Sequence, residues 1–197
     1  MKRLLLLIPV IVIIGCGLFG SKDYFPLKVD NEWKYEGHSY TAADSTTIKA
    51  ETKITGEDLI NSKDVFVTVN KTTEYKYYPT AETTVTIDTS YIKETKDTIL
   101  IYNTKTDSMP MILTILPFEL DKTWSVVHGD TISADTTVYT VKAQEDVTVP
   151  ADTYKKCWKL EIKYGTMAQY FWFADGVGIV KQSWTGYLLE LTEATIK

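Results

Sequence analysis

The chain has 197 residues, a formal net charge of −5 and 24% charged residues. A mildly acidic chain of mixed charge lacks the basic footprint of a nucleic-acid binder, and its charge gives it no attraction to an anionic bilayer surface. Two cysteines and two histidines are too few for a disulfide framework and make a poor zinc centre.

Met1-Lys2-Arg3 is a basic head, and Leu4 to Ile14 is a run of eleven apolar residues. A bilayer span needs about 20. A charged head, a short apolar stretch and a small residue before a cut site describe a secretory signal. The stretch closes on Ile13-Ile14-Gly15-Cys16, which resembles the lipobox of bacterial lipoproteins. In that family the cysteine thiol receives a diacylglycerol and the signal is cut just before it. The resemblance implies cleavage between Gly15 and Cys16, with lipid on Cys16. It divides the chain into a signal peptide (1–15), a short lipidated tether (16–23) and one β domain (24–197). The mature chain would have 182 residues and, without Lys2 and Arg3, a formal charge of −7. Gly17 is not the Asp that marks inner-membrane retention in enteric-type bacteria, so the expected location is the cell envelope. The outer membrane is the expected site, facing the periplasm or the exterior. Gly17 to Asp23 reaches about 25 Å when extended, which keeps the domain close to its membrane.

From Tyr24 onward the pattern is β. The chain holds 29 threonines, a residue type that suits a pleated, half-buried surface. Ile48, Ala50, Thr52 and Ile54 alternate with Lys49, Glu51 and Lys53. Val65, Val67 and Val69 share a face, as do Val85, Ile87, Thr89 and Tyr91. This is a period of two, not 3.6. Turn signals stand at Gly56-Glu-Asp58, Gly129-Asp130, Pro150-Ala-Asp152, Asp175-Gly176 and Thr185-Gly186. Tyr170-Phe-Trp-Phe173 is apolar on both faces, as in a central strand covered on both sides. These patterns predict an all-β domain, an antiparallel β-sandwich or half-barrel/roll, with ten or more strands.

The chain also carries an internal echo. Pro26-Leu-Lys-Val-Asp30-Asn-Glu-Trp33 aligns with Pro117-Phe-Glu-Leu-Asp121-Lys-Thr-Trp124. Tyr75 to Tyr78 aligns with Tyr170 to Phe173, and Ile99 to Tyr102 with Leu188 to Leu191. The offsets suggest two duplicated β-meander halves, 24–114 and 115–197, sharing one core. In each opening unit the proline precedes strand pairing, the Asp turns the chain, and the Trp buries a large ring.

Three segments carry a further resemblance. Tyr24-Phe-Pro-Leu with Trp33-Lys-Tyr35, Val147-Thr-Val-Pro-Ala-Asp-Thr-Tyr154, and Trp172-Phe-Ala-Asp-Gly-Val-Gly-Ile-Val180 are similar to segments of uncharacterised bacterial lipoproteins. Asp152 stands where that group shows Gly. The resemblance implies an antiparallel half-barrel, distantly like the lipoprotein-sorting carriers of the LolA and LolB type, and no enzymatic activity. The departure from those carriers is that no helix is available to plug a half-barrel.

No nucleophile elbow, phosphate-binding loop or zinc-protease motif is present, so no catalytic residue, metal site or cofactor is expected. Alternation places Cys157 with Lys159 and Glu161 on a partly exposed face, as an unpartnered thiol. Two functional readings follow. One is a lipid-anchored, non-enzymatic binding or structural module with an envelope protein or glycan as partner. The other is a carrier of an apolar ligand or lipid in a concave aromatic-lined sheet, with Trp33, Trp124, Trp158, Tyr170 and Trp172 as candidate lining.

Overall fold

The computed structural model describes residues 22–40, 45–77, 80–107, 110–128 and 135–197. Gly15, Cys16 and the rest of the expected signal peptide lie outside the described residues, as does the Gly129-Asp130 turn signal. Within them the chain forms twelve strands: β1 (Glu32–Tyr40), β2 (Ser45–Ile60), β3 (Lys63–Lys76), β4 (Glu82–Glu94), β5 (Thr98–Tyr102), β6 (Met111–Ile115), β7 (Thr123–His128), β8 (Asp135–Thr148), β9 (Thr153–Tyr164), β10 (Met167–Ala174), β11 (Gly178–Trp184) and β12 (Tyr187–Thr195). They pair into one antiparallel sheet of order β6-β5-β4-β3-β2-β1-β12-β11-β10-β9-β8-β7. The all-β expectation holds, as a half-barrel rolled nearly shut. The twist of a large sheet brings its two ends together. The Tyr139 hydroxyl on β8 donates to the Ile112 carbonyl on β6 at 3.1 Å, and Ile99 of β5 packs in one buried cluster with Val141, Leu160 and Phe173.

Each half is a six-stranded meander, β1–β6 and β7–β12, and β1 joins the two by pairing with β12. The opening units match in detail. Asp30 and Asp121 both take positive φ, 72° and 63°. The Asp30 amide donates to the Ile54 carbonyl, and the Ile54 amide donates to the Asn31 carbonyl. In the second half the Asp121 amide donates to the Val141 carbonyl, and the Val141 amide to the Lys122 carbonyl. Ile54 and Val141 are fully buried, and each stands where its hairpin register slips. The other two alignments do not fall on equivalent strands. Tyr75 lies in the third strand of its half and Tyr170 to Phe173 in the fourth. Ile99 to Tyr102 form the fifth strand, Leu188 to Leu191 part of the sixth. Tyr78 lies outside the described residues.

The turn signal at Gly56-Glu-Asp58 is not a turn. It lies inside β2, where the register shifts between Ile54 and Gly56. The hairpin instead turns at Asn61-Ser62, both at positive φ, as a tight two-residue β-turn requires. Tyr170 to Phe173 is central, between β9 and β11, and is covered on both faces. Trp172 joins a cluster with Cys157, Val180 and Leu191, while Phe173 joins Tyr24, Phe25 and Phe118. The cover a helix would supply therefore comes from two non-helical segments, Tyr24-Phe25 and Phe118. Their rings meet edge to face at 5.0 Å between Tyr24 and Phe118, a favourable aromatic geometry.

Candidate functional site

Behind Phe25–Leu27 lies a cavity of about 260 Å³. Its volume lies just under the usual range for small-molecule sites, about 300–1,000 Å³. Phe25, Pro26 and Leu27 form its lid. Trp33 and Tyr35 of β1 and Ile54 of β2 form one wall, Ile92, Ile101 and Leu113 of β4–β6 another, and Ile179 and Gln182 of β11 a third. Among the described residues no Asp, Glu, Lys, Arg or His lines it.

Backbone acceptors hold these walls. Trp33 donates its indole N–H to the Val177 carbonyl at 2.6 Å, and the Tyr35 hydroxyl donates to the Ile179 carbonyl at 2.9 Å. Burial pushes the Tyr35 phenol well above the usual tyrosine range, so it stays a neutral donor. The lid is tied by Asn31, a fully buried residue. Its side-chain amide donates to the Pro26 carbonyl at 2.6 Å, and its oxygen accepts the Lys197 amide.

One polar ladder crosses the apolar lining, on β2, β3 and β4. The Thr52 hydroxyl donates to Asn70 Oδ1 at 2.9 Å, and Asn70 Nδ2 donates to Ser90 Oγ at 3.1 Å. The Thr68 hydroxyl donates to the Ser90 carbonyl at 2.9 Å. Thr68 is 1% exposed, so a hydroxyl there needs this partner. The ladder leaves one Asn70 N–H over, and the Gln182 amide across the cavity makes no hydrogen bond among the described residues. A second cavity, of about 250 Å³, lies beyond Leu113 and is lined by Tyr139, Ile162 and Phe171. Apolar walls with a few fixed polar groups suit an uncharged ligand with one hydrogen-bonding group.

The five aromatic residues singled out from sequence are not brought together. Trp33 lines the cavity. Trp124 stacks on Tyr139 at 5.2 Å, and its indole N–H is buried without a partner among the described residues. Trp158 donates to the Tyr24 hydroxyl at 2.9 Å, beside a groove that includes Asp23, Glu94 and Lys96. Trp172 donates to Glu145 Oε1 at 2.6 Å. The Lys159 ammonium lies 4.8 Å from the Trp172 and Tyr170 ring centroids. Tyr170 donates to Glu161 at 3.1 Å. Tyr170 and Trp172 thus belong to the opposite side of β10 from Phe171 and Phe173. The cavity's polar residues, Asn70, Ser90 and Gln182, were not foreseen. Their only sequence signal is a polar residue on the apolar phase of a strand.

Cys157 is buried, not partly exposed. It keeps the phase of Lys159 and Glu161, on the side of the sheet that holds Trp172 and Tyr170, but that side is covered here: Val147, Val149 and Trp172 join the thiol in one buried cluster, and its S–H donates to the Tyr154 carbonyl at 3.6 Å. Burial raises its pKa to about 11. In the native protein at pH 8, Cys157 is expected to react with a disulfide reagent at least tenfold more slowly than after unfolding, because little thiolate forms and none is accessible. Equal rates in thiol-release assays of native and urea-unfolded protein would contradict this.

No family model matches the chain, and no curated protein matches it. Two solved structures are similar to it. One, from Parabacteroides distasonis and described as a lipoprotein, is 14% identical with a TM-score of 0.41, covering 88% of this chain and 99% of that one. The other, from Bacteroides fragilis, is described as an exported protein with a YmcC-like fold. It is 11% identical with a TM-score of 0.40 and has the same coverage. At these values neither likeness assigns a function.

Proposed function

We propose that this chain is a lipid-anchored, non-enzymatic module of the bacterial cell envelope that holds a small uncharged apolar ligand. The observation that carries the binding reading is the cavity under Phe25–Leu27, apolar except for the Asn70 ladder and Gln182. The ligand would lay its apolar body against Trp33, Ile92, Ile101 and Leu113 and set one carbonyl or hydroxyl between Asn70 and Gln182. The full chain, released from detergent after incubation with 1-decanol, is expected to retain one decanol per molecule in native mass spectrometry. Ile101→Trp fills the space and is expected to lower retention at least tenfold. An intact wild-type chain with no retained decanol would refute the binding reading.

The anchoring reading rests on Leu4–Ile14 and Gly15-Cys16. A diacylglyceryl group supplies the two chains that stable attachment takes, at about 0.8 kcal/mol per buried methylene. Cys16→Ser is expected to leave the precursor uncleaved and to abolish incorporation of a labelled fatty acid. Fractionation is expected to place the wild-type chain in the outer membrane. Fatty-acid labelling of the Cys16→Ser chain would refute the lipid site, and recovery of the wild type in the inner membrane would refute the placement.

A further inference from the structure

β4 presents an unpaired edge in the middle of the sheet order. Along its whole length β4 pairs with β3, from Lys76 opposite Glu82 to Phe66 opposite Ile92. On its other side β5 pairs only with Tyr91 to Glu94. Among the described residues Glu82 to Ser90 therefore has one side without a strand, and half of its backbone N–H and C=O groups point there. Every residue from Glu82 to Thr89 is exposed, with Val85 at 54% and Ile87 at 64%.

Exposed edges are normally blunted by lysine, proline, a bulge or a covering segment. This half of β4 contains no lysine or proline, and its register with β3 runs without a slip. Thr83 to Ile87 is uncharged and rich in β-branched residues, which favour strand pairing. The edge is thus built to accept a strand.

We infer that two copies of this chain pair antiparallel through Glu82–Ser90, about a two-fold axis at Thr86. The sequence complements itself in that register. Val85 falls opposite Ile87 of the partner subunit, Thr84 opposite Asp88 of the partner subunit, and Glu82 opposite Ser90 of the partner subunit. No charge meets a like charge, and the exposed Val85 and Ile87 cover one another. Neighbouring registers that keep the same faces together fail. An axis at Val85 sets Glu82 against Asp88 of the partner subunit, two carboxylates in contact. An axis at Ile87 sets Thr83 against Tyr91 of the partner subunit, where β5 already pairs with Tyr102. The isologous contact closes on itself, so β4 gives a dimer and not a filament.

Cysteine cross-linking in membranes containing the full chain tests this. Residues directly opposite in an antiparallel pair have Cα atoms about 4.5–5.5 Å apart, within disulfide range. Under copper-phenanthroline oxidation, Thr86→Cys, at the axis, is expected to give a cross-linked dimer at least tenfold more efficiently than Thr83→Cys, whose counterpart lies across from Thr89. Adding Val85→Lys and Ile87→Lys to Thr86→Cys sets ammonium against ammonium and is expected to abolish the cross-link. Because both positions are exposed, the far-UV circular dichroism should not change. Equal cross-linking at 83 and 86, or a cross-link that survives the two lysines in a folded chain, would overturn the proposal. Cys16 is present in every variant and cancels from the comparison.

Discussion

Trp172→Ala is expected to cost about 3–5 kcal/mol, the usual range for truncating a buried aromatic residue. The ring is 7% exposed and packs with Cys157, Ala174, Val180 and Leu191. These neighbours belong to paired strands and cannot collapse into the space, so the cavity contribution stays. The polar partners add less. Glu145 is exposed and regains water when the indole N–H leaves. Lys159 and Lys181, at 4.8 and 5.8 Å from the ring centroid, offer about 0.5–1 kcal/mol each at such sites. The loss is read as a lower urea midpoint followed by far-UV circular dichroism, which does not depend on the lost fluorophore. A variant of unchanged stability that no longer retains decanol would instead make Trp172 part of the ligand site.

Gly37→Ala is expected to destabilise by about 3 kcal/mol or more, at or beyond the upper end for overpacking. Gly37 pairs with Leu189 of β12 and Ile48 of β2. A Cβ there would collide with the Leu188 carbonyl oxygen and press on the Leu189 Cα. Both obstacles are backbone, so no rotamer change relieves them. β1 and β12 would have to separate at the ladder that joins the two halves. Chemical denaturation should show a lower midpoint for Gly37→Ala. Gly56→Ala, where a Cβ meets nothing within 4 Å, should stay close to wild type. Equal midpoints for these two variants would show that β1 and β12 are not held this tightly.

Much of this architecture was legible in the residues. Alternation in Ile48–Ile54 and Val65–Val69 is a local property with a period of two, and it marks strands wherever one face is buried. Asp30 and Asp121 read correctly as turns because Asp tolerates positive φ and lies beside a strand-opening Trp. Alternation does not show whether a face meets the core. Val85 and Ile87 share a phase with the buried Tyr91, yet they stand in solvent because β4 runs past the end of β5.

Local pattern also fails wherever a strand slips by one residue, since a slip transfers every later side chain to the other face. It also misses cover that comes from outside the strand, and Cys157 is the first case: it keeps the phase of Lys159 and Glu161, yet Val147, Val149 and Trp172 bury it on that side. Gly56 is the second, where a glycine that reads as a turn serves as a bulge within a long strand.

The residues alone carried the β class, the two opening turns and the central place of Tyr170–Phe173. Each of these depends on residues within one or two turns or pleats of each other. Tertiary structure alone decided that the sheet rolls until Tyr139 meets Ile112, that Tyr24, Phe25 and Phe118 fill the mouth, and that Trp33 lines the cavity while Trp172 does not. Those outcomes depend on twist summed over twelve strands and on contacts between residues far apart in the chain, from 27 positions for Tyr139–Ile112 to 144 for Trp33–Val177. A two-residue period carries no information about such contacts.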